Sequence, residues 1–270
     1  MEAEPALVRV SGLNKRYPRR GGRRGSAGVQ ALADVDLEIA PGATLALVGE
    51  SGSGKSTLAR CLARLEEPES GRIWFEGEDV LSLRGRRLRP FRERVQLVLQ
   101  DSAAALDPRL SAAEIVAEPL EILGRGGKSE RRGRARALLD TVGIPSAWGE
   151  RRPAELSGGQ RQRLAIARAL AVLPRLLILD EAFAGLDVSI QAQIAGLLED
   201  LRIRHALTYL YVSHDLALMA RLAREVAVLF EGRIVERGPV ARLFAGPSHP
   251  HTRALIAAVP AWPAASPRVS

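Results

Sequence analysis

Thr44-Leu45-Ala46-Leu47-Val48-Gly49-Glu50-Ser51-Gly52-Ser53-Gly54-Lys55-Ser56 is the stretch on which the reading of this chain turns. Its first five residues form an apolar run that stops at glycine, as a buried strand does. From Lys55 to Leu65 the apolar residues return at helical spacing. Between the two, Gly49–Ser56 fits the pattern G-x-x-x-x-G-K-[ST], and a strand before with a helix after is the context that pattern requires. Glycines let successive backbone amides converge on phosphate oxygens. The helix N-terminus adds partial positive charge. Lys55 can reach the β- and γ-phosphates and Ser56 can hold Mg²⁺. A chance match in a glycine-rich turn is the competing reading, and the flanking strand and helix weigh against it.

A second apolar run, Leu176-Leu177-Ile178-Leu179, ends in Asp180-Glu181. Two acids after such a run are often only a polar strand end. Beside a phosphate-binding turn they become the acidic half of one site. Asp180 would support Mg²⁺, directly or through water, and Glu181 would polarise an attacking water.

Outward from these two strands the chain alternates strand and helix patterns. Strands are expected at Ala6–Val10, Ala31–Ile39 (with Leu32, Val35, Leu37 and Ile39 buried), Arg72–Phe75, Leu176–Leu179 and Thr208–Val212. Helices are expected at Gly158–Leu173 and Ser189–His205. Turns are expected at Pro41-Gly42 and around Gly77. Val226–Phe230 and Arg233–Glu236 read as a hairpin around Glu231-Gly232. The segment from about Ser102 to Pro153 lacks strand runs and carries two helical patterns, Ala112–Leu123 and Ser129–Val142, so it reads as a helical insertion. Such alternation implies a mostly parallel α/β sheet. Pro18–Gly28 reads as an exposed loop, and Pro247–Ser270, with five prolines, as a tail that frays at its end.

The 270 residues suit one large domain or a domain with a small appendage. With 46% hydrophobic and 26% charged residues the chain can bury a core. No run approaches the roughly 20 apolar residues that span a bilayer, and from the acidic start Met1-Glu2-Ala3-Glu4-Pro5, which lacks an apolar core, no export signal is expected. The single Cys61 excludes an intrachain disulfide and a cysteine metal site; it reads as a small buried apolar residue. The net charge of +8 comes almost wholly from arginine, since lysine occurs only at Lys15, Lys55 and Lys128. Arginines cluster at 19–24, 84–94 and 131–136. They read mainly as solvated surface, with lipid headgroups or a membrane partner as the alternative. With only 4% aromatic residues, a platform for stacking nucleic-acid bases is not expected.

Leu156-Ser157-Gly158-Gly159-Gln160, shortly before the acidic strand, resembles the signature sequence of ATP-binding-cassette (ABC) ATPases. Alone, such a turn is a helix N-cap; in this order and spacing it is far more specific. The resemblance covers nearly the whole chain. It implies an α/β fold of P-loop NTPase type, an ABC nucleotide-binding domain with an antiparallel β subdomain and a helical insertion. The cassette would span 1–246, its helical subdomain about 102–153, and a short tail 247–270.

The resemblance also assigns roles. Tyr17 matches the aromatic that stacks on adenine. Gln100 matches the loop glutamine that meets Mg²⁺, water and the membrane partner. Asp187 matches the aspartate of the following loop, and His214 the switch histidine on the γ-phosphate. ATP is then bound by Tyr17, by Gly49, Glu50, Ser51, Gly52, Ser53, Gly54, Lys55, Ser56 and Thr57, and by Ser157, Gly158, Gly159, Gln160 and Asp187. Mg²⁺ falls to Ser56, Gln100 and Asp180, and catalysis to Glu181, His214, Gln100 and Lys55. Each signature turn would cover the ATP held by a second cassette, the same chain or a paralogue. Two membrane permease subunits and an extracytoplasmic solute-binding protein are the further partners, with no nucleic acid. The chain would sit peripherally on the cytoplasmic face of the cell membrane.

Asp107-Pro108-Arg109, Ala117-Glu118-Pro119-Leu120, Asp187–Gln193 and Ser248-His249-Pro250-His251-Thr252-Arg253-Ala254-Leu255 are similar to the oligopeptide, dipeptide and nickel importer branch. Peptide leads as cargo, with nickel or another small solute behind. His249 and His251 are not expected to ligate nickel, since two histidines make a poor site. The chain departs from the pattern at His251, usually tyrosine, at Leu99, usually phenylalanine, and in Ala182–Leu186, which lacks the usual serine before Asp187. That last change bears on communication across the dimer. The alternatives are a soluble cassette ATPase acting on nucleic acid or the ribosome, and a non-hydrolysing regulatory subunit; intact Glu181 and His214 argue against the second.

Overall fold

A computed structural model describes residues 5–18, 28–100 and 105–259. The Arg19–Arg24 cluster, the start of the expected insertion at Ser102 and the tail beyond Val259 lie outside the described residues. In chain order, β1 (Val8–Tyr17), β2 (Val29–Ile39) and β3 (Thr44–Val48) precede α1 (Lys55–Leu62). Next come β4 (Ser70–Phe75), β5 (Glu78–Asp79), α2 (Leu88–Arg94) and β6 (Val95–Val98). Three helices follow: α3 (Ala112–Ile122), α4 (Lys128–Thr141) and α5 (Gly158–Leu170). The chain then runs through β7 (Leu176–Asp180), α6 (Val188–His205), β8 (Thr208–Ser213), α7 (Leu216–Leu222), β9 (Glu225–Phe230), β10 (Arg233–Pro239), α8 (Val240–Ala245) and α9 (Pro250–Ala257).

The strands form two sheets. An antiparallel sheet has the order β2-β1-β4-β5, and a six-stranded sheet the order β10-β9-β3-β8-β7-β6. In the second sheet every pairing is parallel except β9 with β10. Its inner strands are buried on both faces, which is why they read as continuous apolar runs. Leu45 and Leu47 of β3 face the core shared with α1 and the antiparallel sheet. Ala46 and Val48, one residue out of phase, face the core built by the later helices. Leu176 and Ile178 against Leu177 and Leu179 repeat this division in β7. The antiparallel sheet is wet on one side: Val35, Leu37 and Ile39 are buried, while Asp34, Asp36 and Glu38 are exposed.

The expected mostly parallel sheet, antiparallel strands and central helices are all present. Helices α3 and α4 pack on each other and on α5, in the same core as β7 and α6. Several boundaries move for local reasons. The expected strand Ala6–Val10 runs on to Tyr17, because β1 continues through irregular pairing around Gly12 and Asn14 instead of ending there. Helix α1 stops at Leu62, as Arg64 takes a left-handed conformation (φ 53°). Helix α5 stops at Leu170, and Leu173 lies beyond it at φ 55°. The second hairpin strand reaches Pro239 rather than Glu236. Within the expected tail, Pro250–Ala257 is a regular helix, with His249 as N-cap and proline in its first turn.

Candidate functional site

The glycine-rich turn connects β3 to α1, and two of its glycines are dictated by close approach. A Cβ on Gly49 would lie 2.1 Å from the Leu229 carbonyl oxygen of β9. A Cβ on Gly54 would lie 2.1 Å from the Ala31 carbonyl oxygen of β2, at a φ of +107°. The turn is thus wedged between the two sheets. Lys55 is buried (6% exposed), and its Nζ donates to the carbonyls of Gly49 (2.9 Å) and Glu50 (2.8 Å). Burial lowers its pKa, opposed by the nearby Glu181 and Asp180 charges.

Strand β7 ends next to β3's neighbour β8, which carries its two acids to the turn. Ser56 Oγ donates to Asp180 Oδ1 at 3.0 Å. Asp180 is 2% exposed, and burial raises its pKa, with the Ser56 hydrogen bond acting the other way. Glu181 follows in a left-handed conformation (φ 50°). Its Oε1 accepts from the His214 amide (3.1 Å) and lies 2.9 Å from His214 Nδ1, while Ser213 Oγ donates to Oε2 at 3.5 Å. His214 and Glu181 come from the ends of adjacent parallel strands, where α/β sheets place their ligands.

One cleft of about 720 Å³ gathers Tyr17, Gly49, Glu50, Ser51, Gly52, Gly54, Lys55, Ser56, Thr57, Gln100, Glu181 and His214. That volume suits a nucleotide-sized ligand. Val29, Ala31 and Leu255 also line it; the sequence carries no local signal for them, because an isolated apolar residue reads as core. Ser53 is the exception within the turn. It is buried, its Oγ has no hydrogen-bond partner, and it does not line the cleft. Tyr17 is half-buried, its hydroxyl bonded to the Glu66 carboxylate and 3.4 Å from Thr57 Oγ1. Glu66, not expected from the sequence, thereby fixes the ring.

Ser157, Gly158, Gly159, Gln160 and Asp187 do not line this cleft. Ser157 caps α5: its Oγ accepts from the Gln160 amide (3.3 Å), and Gln160 Oε1 accepts from the Ser157 amide (2.9 Å). Asp187 caps α6, accepting from the Ile190 amide at 2.9 Å. Ser157 and Gly158 are exposed, so their helix N-terminus faces outward.

No group of three His, Cys, Asp or Glu side chains able to hold a metal ion occurs among the described residues. The paired Ser56 hydroxyl and Asp180 carboxylate, beside a phosphate cradle, instead fit Mg²⁺. That ion is typically held by one or two protein oxygens together with substrate phosphates and waters.

Fold and site together define a P-loop ATPase cassette. A family model described as "ABC transporter" matches residues 32–184. The "Probable peptide ABC transporter ATP-binding protein" of Sinorhizobium fredii is 48% identical over 257 residues, covering 94% of this chain and 73% of that protein. The glutathione import ATP-binding protein GsiA of Salmonella paratyphi A is 46% identical over 262 residues, covering 96% of this chain. This chain spans only 42% of GsiA's length. Among solved structures, the dimeric post-hydrolysis state of the ATP-binding cassette MJ0796 bound to ADP and Pi superposes with a TM-score of 0.78. It is 30% identical and covers 87% of this chain and 99% of that one. The chain belongs to the ABC transporter family, as an ATP-binding cassette subunit.

Proposed function

We propose that this chain is the ATP-hydrolysing subunit of a membrane importer for peptides, working at the cytoplasmic face of the cell membrane. The observation that carries the chemistry is the meeting of Lys55, Ser56, Glu181 and His214 in one cleft, with the buried Asp180 carboxylate just behind its wall, 3.0 Å from Ser56 Oγ. The peptide cargo is supported by the Sinorhizobium relative, which aligns over 94% of this chain. Nickel or another small solute is the second cargo.

The amides of Gly49–Thr57 and the Lys55 ammonium receive the triphosphate, and Tyr17 takes the adenine. Lys55 must let go of the Gly49 and Glu50 carbonyls to do so; the phosphate oxygens are better acceptors for an ammonium than neutral carbonyls. Ser56 and Asp180, with Gln100, would hold Mg²⁺, which neutralises charge on the β- and γ-oxygens. Glu181 takes the proton of the water that attacks in line with the γ-phosphate. It accepts hydrogen bonds from His214 and Ser213, which hold its carboxylate toward the cleft. The His214 side chain is 65% exposed and would turn from Glu181 Oε1 to the γ-phosphate while its amide keeps hold of the carboxylate.

The helix terminus at Ser157-Gly158-Gly159, exposed at Ser157 and Gly158, would cover the γ-phosphate held by a second cassette, and Asp187 would sit at the same interface. Hydrolysis removes that charge bridge and opens the pair. No helix among the described residues is long and apolar enough to cross a membrane, so transport falls to separate permease subunits. A second groove of about 370 Å³, lined by Leu88, Leu97, Leu99, Leu106, Ile122 and Leu123, lies between β6 and the α3–α5 group. Leu99 and Ile122 are exposed there, which suits a permease helix. A solute-binding protein would deliver cargo from outside. We divide the chain into a cassette at 1–246, its helical subdomain at about 102–153, and the tail at 247–270.

The test is uptake of a labelled dipeptide by cells lacking the gene and carrying either wild type or Lys55→Ala. Uptake restored by wild type alone is expected; equal uptake in both strains rejects the coupling, and restored uptake of nickel but not peptide moves the cargo.

A further inference from the structure

We propose that the C-terminal helix α9 is part of the nucleotide site, with Leu255 a ligand-contacting residue and Glu236 the residue that positions it. The inference rests on reading the cleft as the nucleotide site.

Leu255 lines the same cleft as Lys55 and Tyr17 although 200 residues separate Leu255 from Lys55 in sequence. It is only half-buried, packing on the core of the six-stranded sheet while leaving part of its side chain in the cleft. Its position is set by two anchors. The first is Glu236 on the edge strand β10, whose carboxylate accepts three hydrogen bonds from the start of the tail. These come from the Ser248 amide (2.8 Å), Ser248 Oγ (2.8 Å) and the His249 amide (3.0 Å). The second is His251, whose ring lies on that of Phe230 with centroids 4.0 Å apart and planes 30° from parallel. Phe230 follows Leu229, the residue whose carbonyl oxygen presses on Gly49 of the phosphate-binding turn.

His251 and Leu255 are four residues apart in one helix, so they share a face. Seating His251 on Phe230 therefore brings Leu255, one turn later, to the cleft. A contiguous path of packed groups joins the phosphate turn, β9, the histidine stack and the cleft wall. By linkage, nucleotide that touches Leu255 must strengthen the docking of α9, and loosening α9 must weaken nucleotide binding by the same factor.

Thiol protection tests this in the intact chain. The native Cys61 is fully buried, and burial pushes its thiol up to about 12, so it stays silent toward thiol reagents. Leu255→Cys and, on an exposed position of the same helix, Ala257→Cys each add one reactive thiol. Mg·ATP should slow labelling of L255C at least tenfold at every protein concentration and leave A257C unchanged. In the L255C background Glu236→Ala should abolish the protection, and in the chain that keeps Leu255 it should weaken ATP binding roughly fivefold, the effect of losing a small apolar contact; Glu236→Gln should restore most of both. Nucleotide binding is measured in the same samples with a fluorescent ATP analogue. A sample that binds ATP yet labels L255C at an unchanged rate overturns this inference alone. Protection that appears only as protein concentration rises assigns the contact to a second chain and also overturns it. A wild-type sample that binds no ATP overturns the nucleotide site itself.

Discussion

Replacing Glu181 with Gln separates chemistry from architecture. The Glu181 side chain is 11% exposed and held by the His214 amide, His214 Nδ1 and Ser213 Oγ. Glutamine has nearly the same shape: its carbonyl oxygen can take the Oε1 place and accept from the His214 amide, while its amino group takes the Oε2 place beside Ser213 Oγ, a hydroxyl that can accept as well as donate, so the strand end should not rearrange. The change in stability should stay within about 1 kcal/mol, a melting shift of roughly 2–4 °C for a chain of this size. What glutamine cannot do is accept the proton of the attacking water. A positioned base contributes 10²–10⁴ in rate, or about 3–5 kcal/mol of barrier. Steady-state phosphate release should therefore fall by about a hundredfold or more, while the Kd for Mg·ATP changes by less than about threefold. Turnover within about fivefold of wild type, with binding intact, would refute Glu181 as the base. Turnover lost together with binding would refute the claim that its role is confined to the chemical step.

Gly54→Ala should destabilise the chain by about 2–5 kcal/mol, combining left-handed strain with overlap on the Ala31 carbonyl, and should remove ATP binding; thermal melts and a binding titration check both. Ser157→Ala loses an N-cap worth about 1 kcal/mol and, in the proposed assembly, a hydroxyl that would face the γ-phosphate of the second cassette. ATP binding to the isolated chain should persist, while turnover in the assembled pair falls about ten- to hundredfold. Burial, the largest single influence on Glu236, pushes its pKa up, but the amides of Ser248 and His249 together with side-chain donors at Thr252 and Ser248 overcome it and hold the carboxyl at about 2, below its ordinary 4.5. A lowered carboxyl pKa contributes stability above the unfolded value and loses it as pH falls through the folded one. The stability gap between wild type and Glu236→Ala should thus be full at pH 6 and narrow from pH 4.5 toward 2, as urea titrations would read.

The sequence carried most of this site because its chemistry is local. Gly49–Ser56 and Leu176–Glu181 each combine a doubly buried strand with the functional residues at its end, so period and motif reinforce each other. The short elements were not legible. Helices α2, α7, α8 and α9 run six to eight residues, too few turns for a periodic pattern. Proline-rich composition argued against order in the tail, yet Pro250 opens α9, where its fixed φ is an asset. Long-range placement was equally silent. Nothing near Glu66 announces that it holds Tyr17, and nothing in Ser248–Leu255 announces that Glu236 clasps it. The capping roles of Ser157, Gln160 and Asp187 are visible in the chain itself. The role proposed for them toward a second cassette would be a property of an assembly.

The central claim is that Lys55 and the amides around it grip a triphosphate beside Asp180 and Glu181. Calorimetric titration of purified chain with Mg·ATP tests it most directly. One saturating equivalent per chain is predicted, with affinity reduced at least tenfold by Lys55→Ala, the loss of charge-assisted hydrogen bonds. No binding heat in the wild type, or the same affinity in both proteins, would contradict it.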